Sequence, residues 1–162
     1  MTIHGNNDGD DSGLKLLALP PVIFGIPMVL GALVHLFIWR GDIIGGNVGI
    51  GLGIILILVG LGIIIWTIRV MSAHGEHPEP HIATETLVMN GPFKRTRNPI
   101  YSGFMLIGAG MALSLNAMAM LVAVFVGVVA LTSMVIRKEE AYLERKFGEE
   151  YVKYATKTRR WL

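Results

Sequence analysis

The chain contains no cysteine, and it has long stretches without any charged side chain. The absence of cysteine excludes disulfide bonds, thiolate chemistry and metal sites with cysteine ligands. Asp, Glu, Lys and Arg are all missing from residues 16–39, 43–68 and 99–136. Charged residues make up 16% of the chain, whereas a soluble domain usually carries about 25%. Uncharged runs of this length argue against a soluble protein.

The uncharged runs predict an all-α, polytopic membrane helix bundle with about four transmembrane helices. A hydrocarbon core of about 30 Å requires about 20 apolar residues in a helix. The first two runs are each long enough for one span, and the third is long enough for two spans joined by a turn. Ser114, Leu115 and Asn116 are the predicted turn. The predicted spans are residues 16–39, 43–68, 100–115 and 117–136.

The remaining segments are polar. Residues 1–13 are acidic and rich in Gly and Asn, without the basic start of a secretory signal, and we interpret them as a disordered tail. Residues 14–162 are then a single membrane domain, with a polar loop at 69–98. Leu143, Phe147 and Tyr151 recur every four residues, which predicts an amphipathic C-terminal helix over residues 137–155.

The basic residues indicate an orientation. Of the 14 Lys and Arg residues, Arg40 is the one that falls in the short connection between the first two spans. The others lie in the long loop, the C-terminal segment and the approach to the first span. Cytoplasmic segments carry an excess of Lys and Arg, so both termini and the long loop are expected in the cytoplasm.

Glycine and histidine occur in patterns that have structural explanations. Gly45, Gly49 and Gly53 share one face of the second span and permit close helix contact. A nucleotide-binding loop is rejected for this glycine run, because no strand precedes it and it lies within an apolar span. We favour a packed or interfacial His35 over a metal ligand. The tract with His74, His77 and His81 is interpreted as a solvated loop, and no metal site is predicted.

A turned, basic segment precedes the third span. The chain breakers Gly91-Pro92 and Asn98-Pro99 enclose Lys94, Arg95 and Arg97. These cations and free backbone donors suit the binding of an anionic ligand group. They equally suit a basic anchor in anionic lipid. The segment by itself leaves both interpretations open.

The paired carboxylates Glu139 and Glu140 follow the fourth predicted span. Carboxylates at a membrane boundary need partners, because their desolvation is costly. They and the basic segment would both lie at the cytoplasmic ends of spans. Together they predict a pocket that is polar on top and apolar beneath, suited to a charged ligand that meets a lipidic substrate.

Two motifs in this order resemble a known family. Gly91-Pro92-Phe93 is followed by Arg97-Asn98-Pro99-Ile100-Tyr101, and after an apolar hairpin by Glu139-Glu140, Leu143, Phe147-Gly148 and Tyr151. This pattern resembles the isoprenylcysteine carboxyl methyltransferase family, and membrane phospholipid N-methyltransferases share it. The resemblance covers roughly residues 87–154.

The resemblance implies an integral membrane methyltransferase that uses S-adenosylmethionine, with a lipophilic or small acceptor entering from the bilayer. It implies the bacterial inner membrane and no nucleic-acid partner. Asn98 departs from the eukaryotic pattern, which has His there, so a general base at this position is not expected. Arg97, Tyr101 and Glu140 are the implied catalytic residues. The implied cofactor-binding residues are Gly91, Pro92, Arg97, Asn98, Pro99, Tyr101, Glu139 and Glu140.

The chemistry of methyl transfer agrees with these residue types. Transfer from a sulfonium is an in-line displacement that needs alignment and exclusion of water, and a carboxylate or thiolate acceptor needs no base. The cofactor carries a carboxylate for Arg97 and an ammonium for Glu139 or Glu140. Tyr101 offers a ring face to the sulfonium or adenine, or else belongs to an aromatic belt at the membrane surface.

Two other functions stay open at this point. A membrane reductase of the sterol-reductase type has a related motif and uses a nicotinamide cofactor, although such chains are usually much longer. A non-catalytic membrane scaffold with the same fold is the other alternative. The acceptor of a methyltransferase is equally open among a prenylated cysteine carboxylate, a lipid amine and a small thiol.

Overall fold

A computed structural model describes residues 20–76 and 86–162, and in these ranges the regular structure is helical. A short 3-10 turn, Gly91–Lys94, precedes the third helix, and a π-helical turn, Thr132–Ile136, joins the fourth helix to the fifth without a break. The helices are α1 Pro20–Phe37, α2 Gly46–Ala73, α3 Pro99–Ser114, α4 Met118–Leu131, α5 Arg137–Phe147 and α6 Glu149–Lys157.

Three helical stretches are long and apolar enough to cross a membrane. They are Pro20–Phe37, Gly46–Ala73 and the continuous stretch Met118–Phe147. Helix α3 is apolar but has 16 residues, which at 1.5 Å per residue is about 24 Å, less than a hydrocarbon core of about 30 Å. The all-helical fold is therefore confirmed, whereas the predicted count of four spans stays a prediction.

Helix α3 lies between α2 and α4, and α1 packs against α4. At several glycines, α2 and α3 approach each other with backbone against backbone. A Cβ atom added to Gly110 would lie 2.5 Å from the carbonyl oxygen of Gly53, and one added to Gly60 would lie 2.8 Å from that of Gly103. We call the set Gly49, Gly53, Gly60, Gly103 and Gly110 the glycine seam.

The seam confirms part of the predicted glycine face. Gly49 and Gly53 are buried against α3, but Gly45 precedes α2 at its N-cap and is exposed. The prediction was wrong for Gly45, because the helix begins one residue later than the uniform spacing suggests. Close helix contact without Cβ atoms stabilises membrane bundles through van der Waals packing.

Aromatic rings fill the contact between α1, α3 and α4. Phe24 and Phe104 stack with their ring centroids 6.2 Å apart. Gly127 lies under the Phe24 ring, where an added Cβ atom would come within 2.7 Å of it. The largest side chains that are fully buried in this core are Met120, Leu131 and Ile136.

The connection between α1 and α2 meets the connection between α3 and α4 at one end of the bundle, which we call the hairpin end. Asn116 adopts a φ of 51°, its Oδ1 accepts a hydrogen bond from the Ile43 amide at 2.7 Å, and its Nδ2 donates to Asp42 at 2.8 Å. The Met118 amide donates to the Gly41 carbonyl at 2.9 Å. The predicted turn at Ser114–Asn116 is therefore confirmed.

Two further predictions concern polar segments. The amphipathic helix predicted over residues 137–155 is two helices, because Gly148 adopts a φ of 54° between α5 and α6. The single-helix prediction was wrong. The four-residue spacing continues across this break, so the sequence pattern gives no sign of it. The predicted tail at residues 1–13, and His77 and His81, lie outside the described residues. His74 donates from Nδ1 to the Val70 carbonyl at 2.8 Å at the end of α2.

Candidate active site

The motif residues lie at the end of the bundle opposite the hairpin end, which we call the site end. Here α2 ends, α3 begins, and α5 and α6 follow α4. Pro99 is the first residue of α3, where its missing N–H and fixed φ suit the start of a helix. Arg97 therefore lies just before the helix and Tyr101 within its first turn, further into the bundle.

The π-helical turn sets the direction of the paired carboxylates. Successive residues of an α-helix are separated by about 100°, so one extra residue in a turn rotates everything beyond it by about that angle. Leu131 and Val135 are both buried, although four-residue steps drift off one face of a regular α-helix. The extra residue of the π-helical turn cancels this drift. Glu139, which comes four residues after Val135, is therefore directed toward α3.

Glu139 contacts the first turn of α3. The Tyr101 hydroxyl donates a hydrogen bond of 2.7 Å to Glu139 Oε1. Tyr101 is partly buried against the apolar core, with its ring centroid 6.4 Å from that of Phe104. This carboxylate therefore lies at the boundary between the polar site end and the apolar bundle.

Glu140 is held by two arginines instead. Arg160 donates from Nε to Glu140 Oε1 at 2.9 Å and from Nη2 to Oε2 at 2.7 Å, a bidentate arrangement. Arg97 Nη2 lies 3.5 Å from Oε1 of the same carboxylate. Glu140 and Arg97 are 15% and 16% exposed, so these charges are largely desolvated.

Residues 158–162 run back along the basic segment. The Arg97 amide donates to the Arg159 carbonyl at 2.8 Å. The Arg160 carbonyl accepts two hydrogen bonds of 3.0 Å, one from Thr96 Oγ1 and one from Asn98 Nδ2. Asn98 is thus used to fix the chain around Arg160, and Thr96, at 1% exposure, is buried by the contact.

Two tyrosines of α6 close the side of the cluster. The buried Tyr151 packs edge-on against Tyr154, whose hydroxyl donates to the Phe93 carbonyl at 2.8 Å. Burial, and then the charge of Glu140, raise the pKa of Tyr151, while Arg97 opposes this shift. Burial also raises the pKa of Tyr154. Both phenols are therefore neutral at physiological pH.

Arg97 retains unused donor capacity. Its side chain lies close enough to Tyr151 to lower the pKa of that phenol, and its Nε is buried without a hydrogen-bond partner among the described residues. The distance of 3.5 Å to Glu140 exceeds that of a well-formed charged hydrogen bond. Lys94 and Arg95, in contrast, are exposed. A buried guanidinium with unmet donors is suited to binding an anionic group, so the three cations of the segment are not equivalent.

The structure brings most of the predicted site residues together. Arg97, Asn98, Tyr101, Glu139 and Glu140 lie together at the site end, and we call them the cluster. Their contacts form two sets, one at Glu139 and one at Glu140, which adjoin because these glutamates are consecutive. The other predicted residues shape its surroundings. Pro99 starts α3, Gly91 has a φ of 58° and lies against Val70 and Trp66 of α2, and Pro92 is buried in the 3-10 turn.

The sequence-based prediction missed Thr96 and Arg160. Arg160 belongs to a pair of arginines beyond the last amphipathic repeat, and its neighbour Arg159 is exposed. Nothing in the spacing distinguishes the two arginines or relates either to Glu140. Trp161 is a weak signal, since an aromatic residue after a charged pair suggests that the chain returns to the apolar core, and Trp161 is partly buried against it.

Comparison with known proteins identifies the family. A family model described as phospholipid methyltransferase matches residues 48–150, from α2 to the start of α6. An uncharacterized protein of Haemophilus influenzae is 45% identical over 47 residues, which are 29% of this chain and 73% of that protein. No solved structure matches. The methyltransferase resemblance predicted from the motifs is confirmed: the chain is an integral membrane protein that belongs to the phospholipid methyltransferase family.

Proposed function

We propose that the protein is an S-adenosylmethionine-dependent methyltransferase that acts on a lipophilic or small acceptor. The observation that carries this proposal is the position of Arg97. It is a largely buried cation whose Nε has no partner among the described residues, it adjoins the Glu140 carboxylate, and it lies at the end of an apolar bundle. A membrane anchor needs exposed cations, which Lys94 and Arg95 provide.

The residues of the cluster match the polar groups of the cofactor. Arg97 would hold the cofactor's carboxylate, because a guanidinium binds carboxylates through two parallel hydrogen bonds. Glu139 has one phenol donor on Oε1, and it would hold the ammonium group. Glu140 would act through the two guanidiniums that contact it. Asn98 and Pro99 would line the site by fixing the backbone around Arg97, and Gly91 and Pro92 by shaping the turn before it.

The cofactor, when bound, supplies an electrophilic methyl group on a positively charged sulfur. The side chains of this cluster would orient it and exclude water. Tyr101 lies between Glu139 and the apolar core, so its ring would face the sulfonium or adenine and separate them from bulk solvent. An in-line displacement depends on such alignment more than on a catalytic base.

The acceptor would approach through the membrane. Large apolar side chains such as Val29, Leu58 and Phe125 are 61%, 62% and 70% exposed, as expected of surfaces that face lipid. A lateral path would deliver a prenylated cysteine carboxylate, a lipid amine or a small thiol to the inner side of the cluster. The same membrane setting argues against a nucleic-acid partner.

Transfer of a labelled methyl group tests the proposal. Membranes from cells that produce the protein are incubated with S-adenosylmethionine that carries a radioactive methyl group, and the lipid extract and small-molecule fraction are counted. The wild-type protein is expected to label one fraction above the Arg97→Gln variant. Equal labelling by the two proteins, at matched amounts in the membrane, would contradict the proposal.

We further propose that the site end faces the cytoplasm of a bacterial inner membrane, with both termini on that side. The concentration of basic residues at the site end supports this orientation. Topology reporters fused after Leu162 and inserted next to Arg40 test it. A cytoplasmic signal is expected from the first fusion and a periplasmic signal from the second, and the reverse pattern would refute the orientation.

A further inference from the structure

We propose that residues 158–162 are part of the site, and that Arg160 is a positioning residue that occupies Glu140 and so leaves Arg97 able to bind an anionic group. The identity of that anion rests on the proposed function. The pairing between the three side chains rests on their contacts alone. Neither the family motif nor the match to residues 48–150 includes Arg160.

Three observations fix the Arg160 side chain. Its carbonyl accepts hydrogen bonds from Thr96 and Asn98, which are 1% and 8% exposed. The next residue, Trp161, packs against the apolar core. The guanidinium then meets Glu140 in a bidentate arrangement with distances of 2.9 and 2.7 Å. Together with the hydrogen bond from the Arg97 amide to the Arg159 carbonyl, these contacts anchor the backbone on both sides of a side chain that reaches one carboxylate.

The distances around Glu140 describe a competition between two cations. Arg160 is in direct hydrogen-bond contact, and Arg97 stands at 3.5 Å. Opposite charges attract strongly in a poorly solvated site, and Glu140 is 15% exposed. Without Arg160, the nearest remaining cation of the cluster is Arg97, which needs to move less than 1 Å to form a direct pair. Glu140 would then neutralise the group that binds the anion.

The other ionisable groups near Glu140 do not change this outcome. Tyr151, which approaches from α6, is neutral because burial raises its pKa. Glu139, on the preceding position of α5, is bonded to Tyr101 and repels Glu140. Arg97 is therefore the cation of the described cluster that can replace Arg160.

A simpler role for Arg160 is to hold residues 158–162 in place. In that case its loss would lower stability, but folded protein would bind the cofactor as before. The two roles differ in the effect of a second substitution. Removing the Glu140 charge as well cannot restore a missing anchor, but it does release Arg97.

The experiment compares four detergent-purified proteins by titration with S-adenosylmethionine, well below their melting temperatures: wild type, Arg160→Gln, Glu140→Gln, and the double variant. Arg160→Gln is expected to weaken binding about tenfold or more, as for loss of a hydrogen bond to a charged group. The double variant is expected to bind within about threefold of Glu140→Gln. Arg159→Gln is the matched control, because Arg159 is exposed and contributes its carbonyl to the Arg97 amide.

Normal affinity in Arg160→Gln, or a double variant as weak as Arg160→Gln, would overturn the inference. If Arg160→Gln does not fold, Arg160→Lys keeps the charge without the bidentate geometry, and an intermediate loss of affinity is expected. Normal affinity in the lysine variant would count against the inference.

A second measurement needs no cofactor. The shift in Tm caused by Arg97→Gln is measured in the wild-type and the Arg160→Gln backgrounds. The shift is expected to be larger by about 3 °C or more in the second background, because Arg97 would there be the partner of Glu140. Equal shifts would refute the inference even if the protein binds no S-adenosylmethionine. Failure of the wild type to bind, with unequal shifts, would refute the proposed function alone.

Discussion

The glycine seam and the cluster at the site end hold α3 in two different ways. The seam joins α2 to α3 through close backbone contacts at its glycines. The cluster joins α3 to α5 and residues 158–162 through charged and hydrogen-bonded groups. The first kind of contact tolerates no added atom, whereas the second depends on the identity of each polar group. The difference indicates that the seam determines how the helices are arranged, which we call the frame, and that the cluster determines the chemistry.

Gly53→Leu is expected to have the largest effect, and it acts on the frame. An added side chain at Gly53 would meet the Gly110 carbonyl and the Ser114 side chain of α3. Overpacking usually costs about 1–3 kcal/mol, and more where backbone must move. We expect a fall in Tm of about 10 °C or loss of folded protein, measured by thermal unfolding in detergent.

Gly51→Leu is the matched control for the seam. It lies two residues away on α2, and an added Cβ atom would have nothing within 4 Å. Its Tm is expected to stay within about 2 °C of the wild type. Similar losses for both variants would mean that helix α2 is sensitive to leucine in general and that the seam is not special.

Deletion of Ser133 is expected to disrupt the contacts of the cluster and leave the glycine seam intact. Ser133 is an exposed residue of the π-helical turn, and its removal would rotate α5 by about 100° relative to α4. Glu139 and Glu140 would then leave Tyr101 and Arg160. We expect S-adenosylmethionine affinity to fall more than about a hundredfold, since several charged hydrogen bonds are lost together. The control Ser133→Ala, which keeps the residue count, should bind normally; equal affinity in both would contradict the account of the π-helical turn.

The two glutamates are expected to differ. Glu139→Gln should weaken cofactor binding about ten- to a hundredfold, because a direct hydrogen bond to a charged group contributes roughly 1.5–3 kcal/mol. Glu140→Gln should have a smaller effect, since the partners of Glu140 are Arg97 and Arg160. Glu144→Gln, an exposed position of α5, is the control. Unchanged cofactor titrations for both cluster variants would show that the two carboxylates do not take part in cofactor binding.

The last substitution series compares the three cations of the basic segment, beginning with Arg97→Lys. The charge is kept, but the planar geometry that binds a carboxylate through two bonds is lost, so affinity should fall about tenfold. Lys94→Gln and Arg95→Gln should stay within about threefold of the wild type, because each exposed basic residue near a membrane contributes only about 1 kcal/mol. Equal, small changes at all three positions would favour a membrane anchor and weaken the comparison between frame and cluster.

The sequence predicts the frame well because membrane spans leave a simple signal. The uncharged runs located α1 to α4, and the turn at Asn116 followed from the length of the third run. The charged and motif residues also predict that Arg97, Tyr101, Glu139 and Glu140 lie near one another, although not that Tyr101 bonds to Glu139. Each of these inferences rests on local composition or on a motif of short range.

The parts that could not be predicted depend on contacts distant in sequence. The π-helical turn leaves no mark in a run that is uncharged throughout, and the break at Gly148 falls within an unchanged amphipathic repeat. Arg160 meets a carboxylate 20 positions away through a segment without helical periodicity. Its choice over Arg159 depends on which residue has its carbonyl held by Thr96 and Asn98, and that is a property of the folded chain.

A binding titration of the detergent-purified wild-type protein with S-adenosylmethionine and, in parallel, with NADPH distinguishes a methyltransferase from a reductase. We expect saturable binding of S-adenosylmethionine at one site per chain, lost in Arg97→Gln and kept in Arg95→Gln, and no saturable binding of NADPH. Saturable binding of NADPH alone would identify a reductase, and binding of neither would identify a scaffold. Either result would contradict the assignment of the cluster as a methyltransferase cofactor site.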